Sequence, residues 1–353
     1  MKYDLTQARK CIETLDKRRF DRALLGSGDA FRHIVSLVPL LLHLNHPALP
    51  GYVEDAPAGI ADFILSNYQQ HFLSKEHPEL VEDVQSAVNS DVVFTPILGI
   101  YVMGSFGSIS QTSASDLDIW ICHQDDLSEQ DQQRLAEKTK KISLWASTFH
   151  VEMHFYLMTQ KRFRNERYSD PLTKENSGSA QYMLLLEEFY RSAVRLAGKP
   201  LLWLHLWVED EKQYEAEVSR LVEAGELDPN DWVDFGGLGQ FSASEYFGAS
   251  LWQLYKGIDS PYKSVMKILL LETYAQEYPN AHLIARQFKE DLLSGRSTAA
   301  HHFDPYIAIL ERISQYLTAH SEFKRLDFVR SCFYVKATED FALYHASNWR
   351  ISY

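Results

Sequence analysis

Cysteine is scarce in this chain of 353 residues: Cys11, Cys122 and Cys332 are its three, far apart. That excludes a disulfide framework and a Cys-x-x-Cys zinc site, and favours a reducing cytoplasm. Long apolar runs are missing too. The most apolar early stretch, Ile34 to Leu44, is interrupted by Pro39 and falls well short of the roughly twenty residues that cross a bilayer. No secretory signal precedes it. Positive charge is in deficit, with 35 Lys and Arg against 48 Asp and Glu and a net charge of -13. A protein that grips a polynucleotide by counterion release needs the opposite sign, so a small nucleotide fits better than nucleic acid. Repeats and low-complexity segments are absent. What remains, 45% hydrophobic and 24% charged residues, is ordinary for a folded chain that can bury a sizeable core, in two or more domains.

The stretch that organises the chain is Met103 to Trp120, MGSFGSISQTSASDLDIW. An apolar strand end is followed by Gly104 and Ser105, then by small polar residues, then by Asp116-Leu117-Asp118-Ile119. Side chains two apart on a strand share a face, which places Asp116, Asp118 and Trp120 together and turns Leu117 and Ile119 the other way. Two like charges about 4 Å apart repel by roughly 1 kcal/mol in water and about 4 kcal/mol at intermediate dielectric, so a cation belongs between them. Carboxylates are hard ligands suited to Mg2+ or Mn2+. Gly104 and Ser105 offer backbone N–H groups, a hydroxyl and no bulk, as a phosphate needs. Together these residues predict a metal-triphosphate site.

An apolar-Gly-Ser turn, a spacer and Asp-apolar-Asp-apolar resemble the signature of the DNA polymerase beta-like nucleotidyltransferase superfamily. That resemblance implies a third carboxylate on a later strand. In VEMHFYL, residues 151–157, His150, Glu152, His154 and Tyr156 share one face, and Glu152 is the expected third ligand. Longer blocks narrow the match: SASDLDIWICHQ, LLLEEFYRSAVRLAGK, EYFGASLWQLYKGIDSPYKSVMKILLLE and RLDFVRSCFYVK resemble class I adenylate cyclases of the enterobacterial type. The resemblance runs from NHPALPGY to nearly the last residue. It implies conversion of ATP to 3',5'-cyclic AMP and pyrophosphate, with two Mg2+ ions held by Asp116, Asp118 and Glu152. The rival with the same acids is a nucleotidyltransferase that adenylylates a protein or small molecule. Members of the family are longer, and their regulatory partners are expected to need a C-terminal region that this chain lacks.

In order along the chain, amphipathic helices are expected over 5–24, 29–44 and 59–72, and strands over 96–103 and 117–122 with a short helix between them facing the phosphates. Ser128 caps a further helix, which crosses to the Glu152 strand. A mobile basic loop over 160–176 holds Lys161, Arg162, Arg164, Arg167 and Lys174. A helix over 181–196 stops at Gly198, and LLWLHLWV, residues 201–208, reads as a buried strand. Helices follow, one opened by a capping box from Ser242 to Glu245 and one with Ser260 as cap and Pro261 at its first position. The expected fold is α/β: a nucleotidyltransferase-type mixed sheet with flanking helices over 93–210, a helical layer over 1–92 before it, and a mostly helical domain over 211–353 that closes on the nucleotide.

Ser105 and Ser115 are further candidates for ATP contact. Ser108 and Gln111 read more readily as loop residues. Trp120 fits adenine stacking and core packing equally. Lys263 and Lys267 lie four apart on one helix face, and Lys263 falls in the first turn, where the helix dipole disfavours a cation. A bound triphosphate resolves that conflict, as helical domains of related transferases do. His123, His150 and His154 read as structural, and Arg191 as pairing with Glu187 or Glu188.

Overall fold

The computed structural model describes residues 5–25, 27–82, 84, 95–112, 115–165, 182–239, 241–294 and 303–338. Helices α1 (Leu5–Leu25), α2 (Asp29–His43) and α3 (Asn67–Glu76) lead into strands β1 (Ile97–Met103) and β2 (Leu117–His123). Helix α4 (Glu129–Ser147) crosses to β3 (Met153–Met158), and α5 (Gln160–Asn165) and α6 (Tyr182–Ser192) precede β4 (Val194–Gly198). The sheet runs β3-β2-β1-β4, with β2 and β3 parallel and the two other pairings antiparallel. After a single turn α7 (Leu202–His205), the chain is helical: α8 (Tyr214–Glu223), α9 (Ala243–Lys256), α10 (Pro261–Gln276), α11 (Ile284–Leu293), α12 (Pro305–Ala319) and α13 (Phe323–Ala337).

Alternation along the strands divides the interior in two. Ile100, Val102, Leu117, Ile119 and Ile121 face one core, covered by α2 and by Leu135, Ile142 and Ala146 of α4. Tyr101, Met103, Trp120 and Cys122 face the other, built with α1, α6 and the C-terminal helices. Both central strands are therefore buried on each side, and the acidic face of β2 looks toward the helical region.

Several expectations give way. The expected helix over 181–196 ends at Ser192, and Val194 to Gly198 becomes a strand on the open edge of β1, with Ile100 paired to Ala197 and Gly99 to Gly198. Pairing with an unsatisfied strand edge outweighs the local helical pattern. Gly198 has a φ of +86°, and a Cβ there would lie 2.5 Å from the Leu98 carbonyl. LLWLHLWV is buried as expected but turns helical over Leu202–His205, with Leu201 bridging to Val233. The third helix starts at Asn67, after a complete capping box from Ser66 to Gln69, and the Gly59–Ile60 stretch instead bridges to Ile97. Ser242 makes no capping bond. Glu245 reaches across and accepts from the Met183 and Leu184 amides at the start of α6. Residues 166–181, with Arg167 and Lys174, lie outside the described residues, and the basic loop's beginning is the helix α5.

The β1–β2 connection matters most for the site, and among its described residues it forms turns, not the expected helix. Its groups are held from outside. Arg19 of α1 donates to the Phe106 carbonyl at 2.8 Å. Gln111 accepts from Gly107 N at 2.6 Å and donates to the Ala23 carbonyl and to Ser27 Oγ. Asp304, the N-cap of α12, accepts from Tyr306 N and Ile307 N through Oδ1 and from Ile109 N at 2.7 Å through Oδ2, where Arg22 also lies at 3.3 Å. Gly107 makes the fit possible, with a φ of +65° and its Cα so close to α1 that a Cβ would enter the Arg19 carbonyl. Gly107→Ala should therefore cost at least about 2 kcal/mol, from left-handed backbone strain plus the clash. Urea denaturation checks this, and an unchanged midpoint would show that the loop does not depend on this approach.

Candidate active site

Strand β1 ends at Met103, opposite Asp118 in the β1–β2 register. The chain turns at Gly104, whose φ is +86°; even a Cβ there would lie 4.0 Å from Asp118 Oδ2, so the turn passes directly over that carboxylate. Its N–H already donates to Ser192 Oγ at 3.1 Å, and Ser192 in turn donates to the Glu188 carbonyl. Gly104 thus supplies room rather than a free amide. Ser105 is buried in the turn, and its carbonyl accepts from Ser108 Oγ. Ser115 Oγ accepts from Thr112 N at 2.9 Å, closing the far end of the loop. Ser108 and Gln111 hold the loop, as their positions suggested.

Asp116, exposed, immediately precedes β2, and Asp118, half-buried, is its second residue; both stand on the face toward the helical region. Tyr156 of β3 donates to Asp118 Oδ1 at 3.2 Å. Asp118 pairs with His154 in the parallel register, and Leu117 N donates to the Glu152 carbonyl at 3.0 Å, which sets Glu152 beside Asp116. The Glu152 side chain is 71% exposed and its Oε1 lies 3.0 Å from His154 Nε2. Among the described residues no group of three such ligands stands ready for a metal ion. Two carboxylates meet, and the third is one strand away, turned to histidine.

Burial, and then the charge of Asp116, push the Asp118 carboxyl above the usual carboxylate range, while Lys263, His154 and the Tyr156 hydroxyl act the other way. Two neighbouring acids, one exposed and one partly desolvated and compensated only in part, are a donor set that fits a hard divalent cation. Lys263 of α10 faces both acids and Glu188; Tyr306 first, and then these carboxylates, hold its amine above the ordinary lysine value against burial. Lys267, one turn further, is paired with Glu188 at 2.6 Å. The structure thus brings Lys263, not Lys267, to the acid pair.

Trp120 takes the packing role. It is 2% exposed and stacks on Phe189 with ring centres 4.0 Å apart, while Phe163 and Phe235 close around it. No ring face is left for adenine. Arg191 is buried in an ion pair with Glu187, whose other oxygen accepts from Tyr274 Oη and Ala285 N, so this pair fastens α6 to α10 and α11. Arg195 belongs to β4, not to a helix, and reaches Gly198 O and Glu13. Three groups at the site have no role in the sequence reading: His154 and Tyr156, whose spacing of two and four from Glu152 signals a shared face, and Tyr306, which lies 188 residues beyond Asp118 and carries no local signal.

A four-stranded mixed sheet, flanked by helices and faced by a helical C-terminal region, makes this a nucleotidyltransferase-like α/β fold. A family model described as the adenylate cyclase NT domain matches residues 4–204, and one described as the second domain of class I adenylate cyclase matches 241–353. The chain belongs to the class I adenylate cyclase family. It is 69% identical to an adenylate cyclase of Haemophilus influenzae, with all of this chain aligned to 42% of that protein. It is 60% identical to one of Pasteurella multocida (100% and 43% covered) and 45% identical to one of Escherichia coli K12 (96% and 40%). The chain therefore spans about two fifths of the length of these curated relatives. No solved structure matches it. No helix among the described residues is long and apolar enough to cross a membrane.

The raised Asp118 carboxyl has a consequence for stability. A carboxyl that holds its proton more tightly when folded stabilises the chain fully below the unfolded value of about 4, and this contribution is lost as pH rises through the folded value. In the absence of divalent cations, Asp118→Asn should therefore gain stability relative to the parent as pH rises from about 4 toward neutrality. Parallel urea melts across that range measure the difference; one that stays constant with pH would mean that Asp118 ionises without penalty.

Proposed function

We propose that the chain binds ATP and converts it to 3',5'-cyclic AMP and pyrophosphate. The observation that carries this reading is the meeting of Asp116 and Asp118 on β2 with Lys263 on α10 beneath the Gly104 turn: anionic ligands for a cation and a cation for phosphate in one place. Family membership supports it, since the relatives are named adenylate cyclases. Two Mg2+ ions, or Mn2+, would neutralise charge at the α-phosphate and lower the pKa of the ribose 3'-hydroxyl when bound.

The chain's own residues supply the rest. Asp116 and Asp118 hold the metal face, and Glu152 joins them by leaving His154, a rotation that its exposed side chain permits. Lys263 remains protonated beside its acidic neighbours and gives the triphosphate a fixed positive charge. Lys267 exchanges Glu188 for a phosphate oxygen. Gly104 lets the phosphates approach Asp118 without a side chain in the way, with Ser105 and Ser115 as the nearby hydroxyls. Cyclisation further requires the ribose to fold until O3' is about 3 Å from phosphorus, which the enclosing helical region enforces by positioning. An acidic surface and three free cysteines suit a small nucleotide in a reducing cytoplasm.

Incubating the protein with ATP and Mg2+, with no acceptor added, should yield cyclic AMP and equimolar pyrophosphate by chromatography and mass. An AMP adduct that forms only when protein or small-molecule acceptors are supplied would assign the chain to the adenylylating transferases instead. Asp116→Asn and Asp118→Asn should each lower turnover by at least about a hundredfold, more than the loss of an outer-shell partner of a metal. Unchanged turnover in either would remove the metal-site reading. Mg2+ should also raise the melting temperature of the parent more than that of Asp118→Asn, because a ligand stabilises only the state that binds it.

A further inference from the structure

One group at the site has no use in the account above. Tyr306, in the first turn of α12, is 3% exposed, and its hydroxyl has no hydrogen-bond partner among the described residues. Other buried tyrosines show what such a hydroxyl ordinarily finds. Tyr101 donates to the Lys199 carbonyl, Tyr190 to the Gly236 carbonyl, Tyr214 to Asp234 and Tyr274 to Glu187. An unpaired buried donor is disfavoured, and its persistence in a folded chain calls for an explanation.

Its position supplies one. The start of α12 is fixed to the Gly-Ser loop by Asp304, whose two oxygens accept from Tyr306 N and Ile307 N on one side and from Ile109 N on the other. The phenol lies within electrostatic reach of Lys263 and of Arg191, and Lys263 in turn faces Asp116 and Asp118. The unpaired O–H thus belongs to a helix tied at Ile109 to the loop that follows the Gly104 turn, within reach of the lysine that faces the carboxylate pair. Arg191 is already matched by Glu187, which leaves Lys263 as the cation beside a vacant donor, and such surroundings suit an anionic oxygen.

We propose that Tyr306 is a nucleotide-binding residue whose hydroxyl donates a hydrogen bond to a phosphate oxygen of the bound triphosphate beside Lys263. The inference rests on the nucleotide reading above and adds a contact from α12 to those from β2 and α10. The contact orients the phosphate chain and involves no proton transfer.

The test is the affinity of the 353-residue chain for α,β-methylene ATP with Mg2+, measured by calorimetry, in the parent and in Tyr306→Phe. This probe cannot lose pyrophosphate, so turnover does not enter. The variant should bind about tenfold to a hundredfold more weakly, as loss of one hydrogen bond to a charged group implies, while its melting temperature without ligand stays equal to the parent's or rises. Equal affinity in both proteins would overturn the assignment. So would a lowered melting temperature of the free variant, which would show that the hydroxyl is bonded within the protein itself. Failure of the parent to bind the analogue at all would remove the nucleotide reading, and this inference with it.

Discussion

Like charge on one face of a strand that is buried on both sides is the constraint around which the site is built. Leu117, Ile119 and Ile121 must face the core under α2 and α4, so Asp116, Asp118 and Trp120 have no choice of side. A slip of one residue in β2 would drive the carboxylates into hydrocarbon. The register is held from both neighbours, by Met103 against Asp118 and by His154 against Asp118. Trp120 locks the same face into the aromatic cluster of Phe163, Phe189 and Phe235. The acids stand where a fully hydrophobic face breaks off, and their mutual repulsion is answered only in part, by Lys263.

Rigidity around that pair comes from ionic groups that are themselves satisfied. Glu187 and Arg191 lie within the interior, and Glu187 also takes the Tyr274 hydroxyl and the Ala285 amide. Removing one partner of such a pair typically costs about 3–5 kcal/mol because the other charge stays buried. That cost makes the relation of α6, α10 and α11 hard to change, and α10 carries Lys263. Asp304 does the same for α12 and the Gly-Ser loop, joining segments about 195 residues apart through one carboxylate. The site thus stands where two such knots meet, and they fix the helices that carry Lys263 and Tyr306.

What could be read from the sequence was what the local pattern determines. Alternation in LDIW and VEMHFYL put Asp116, Asp118 and Glu152 on one face, and the register of β2 and β3 agrees. The conflict between Lys263 and its helix dipole pointed to a nearby anion, and the structure supplies two carboxylates there. What escaped was settled by distant partners. Val194 to Gly198 continues the helical pattern of α6 without a break, and nothing local says that β1 has an open edge waiting for it. The Ser- and Gly-rich connection reads as the start of a helix, but Arg19, Gln111 and Asp304 satisfy its backbone groups as turns. Glu245 has the spacing of a capping box and caps a different helix. Trp120 could be read either way until Phe189 was seen to cover its ring.

The two lysines of α10 show how placement, rather than residue type, sets which of them must give up a partner before it can meet a phosphate. Both have four-carbon stems and the same spacing from the helix face, so each is equally suited to a phosphate by itself. Lys267 meets Glu188 at 2.6 Å, a carboxylate that Arg191 also approaches at 3.9 Å, and there its charge is already matched. Lys263 faces Asp116 and Asp118, neither of which forms an ion pair with another cation at contact distance among the described residues. A divalent ion arriving at those acids would compete with Lys263 for them, because like charges repel at close range even in a partly solvated site. The lysine would then be free to turn toward an anion that accompanied the metal. On the proposed reading metal and phosphate would be recognised together, each completing the charge balance that the other disturbs.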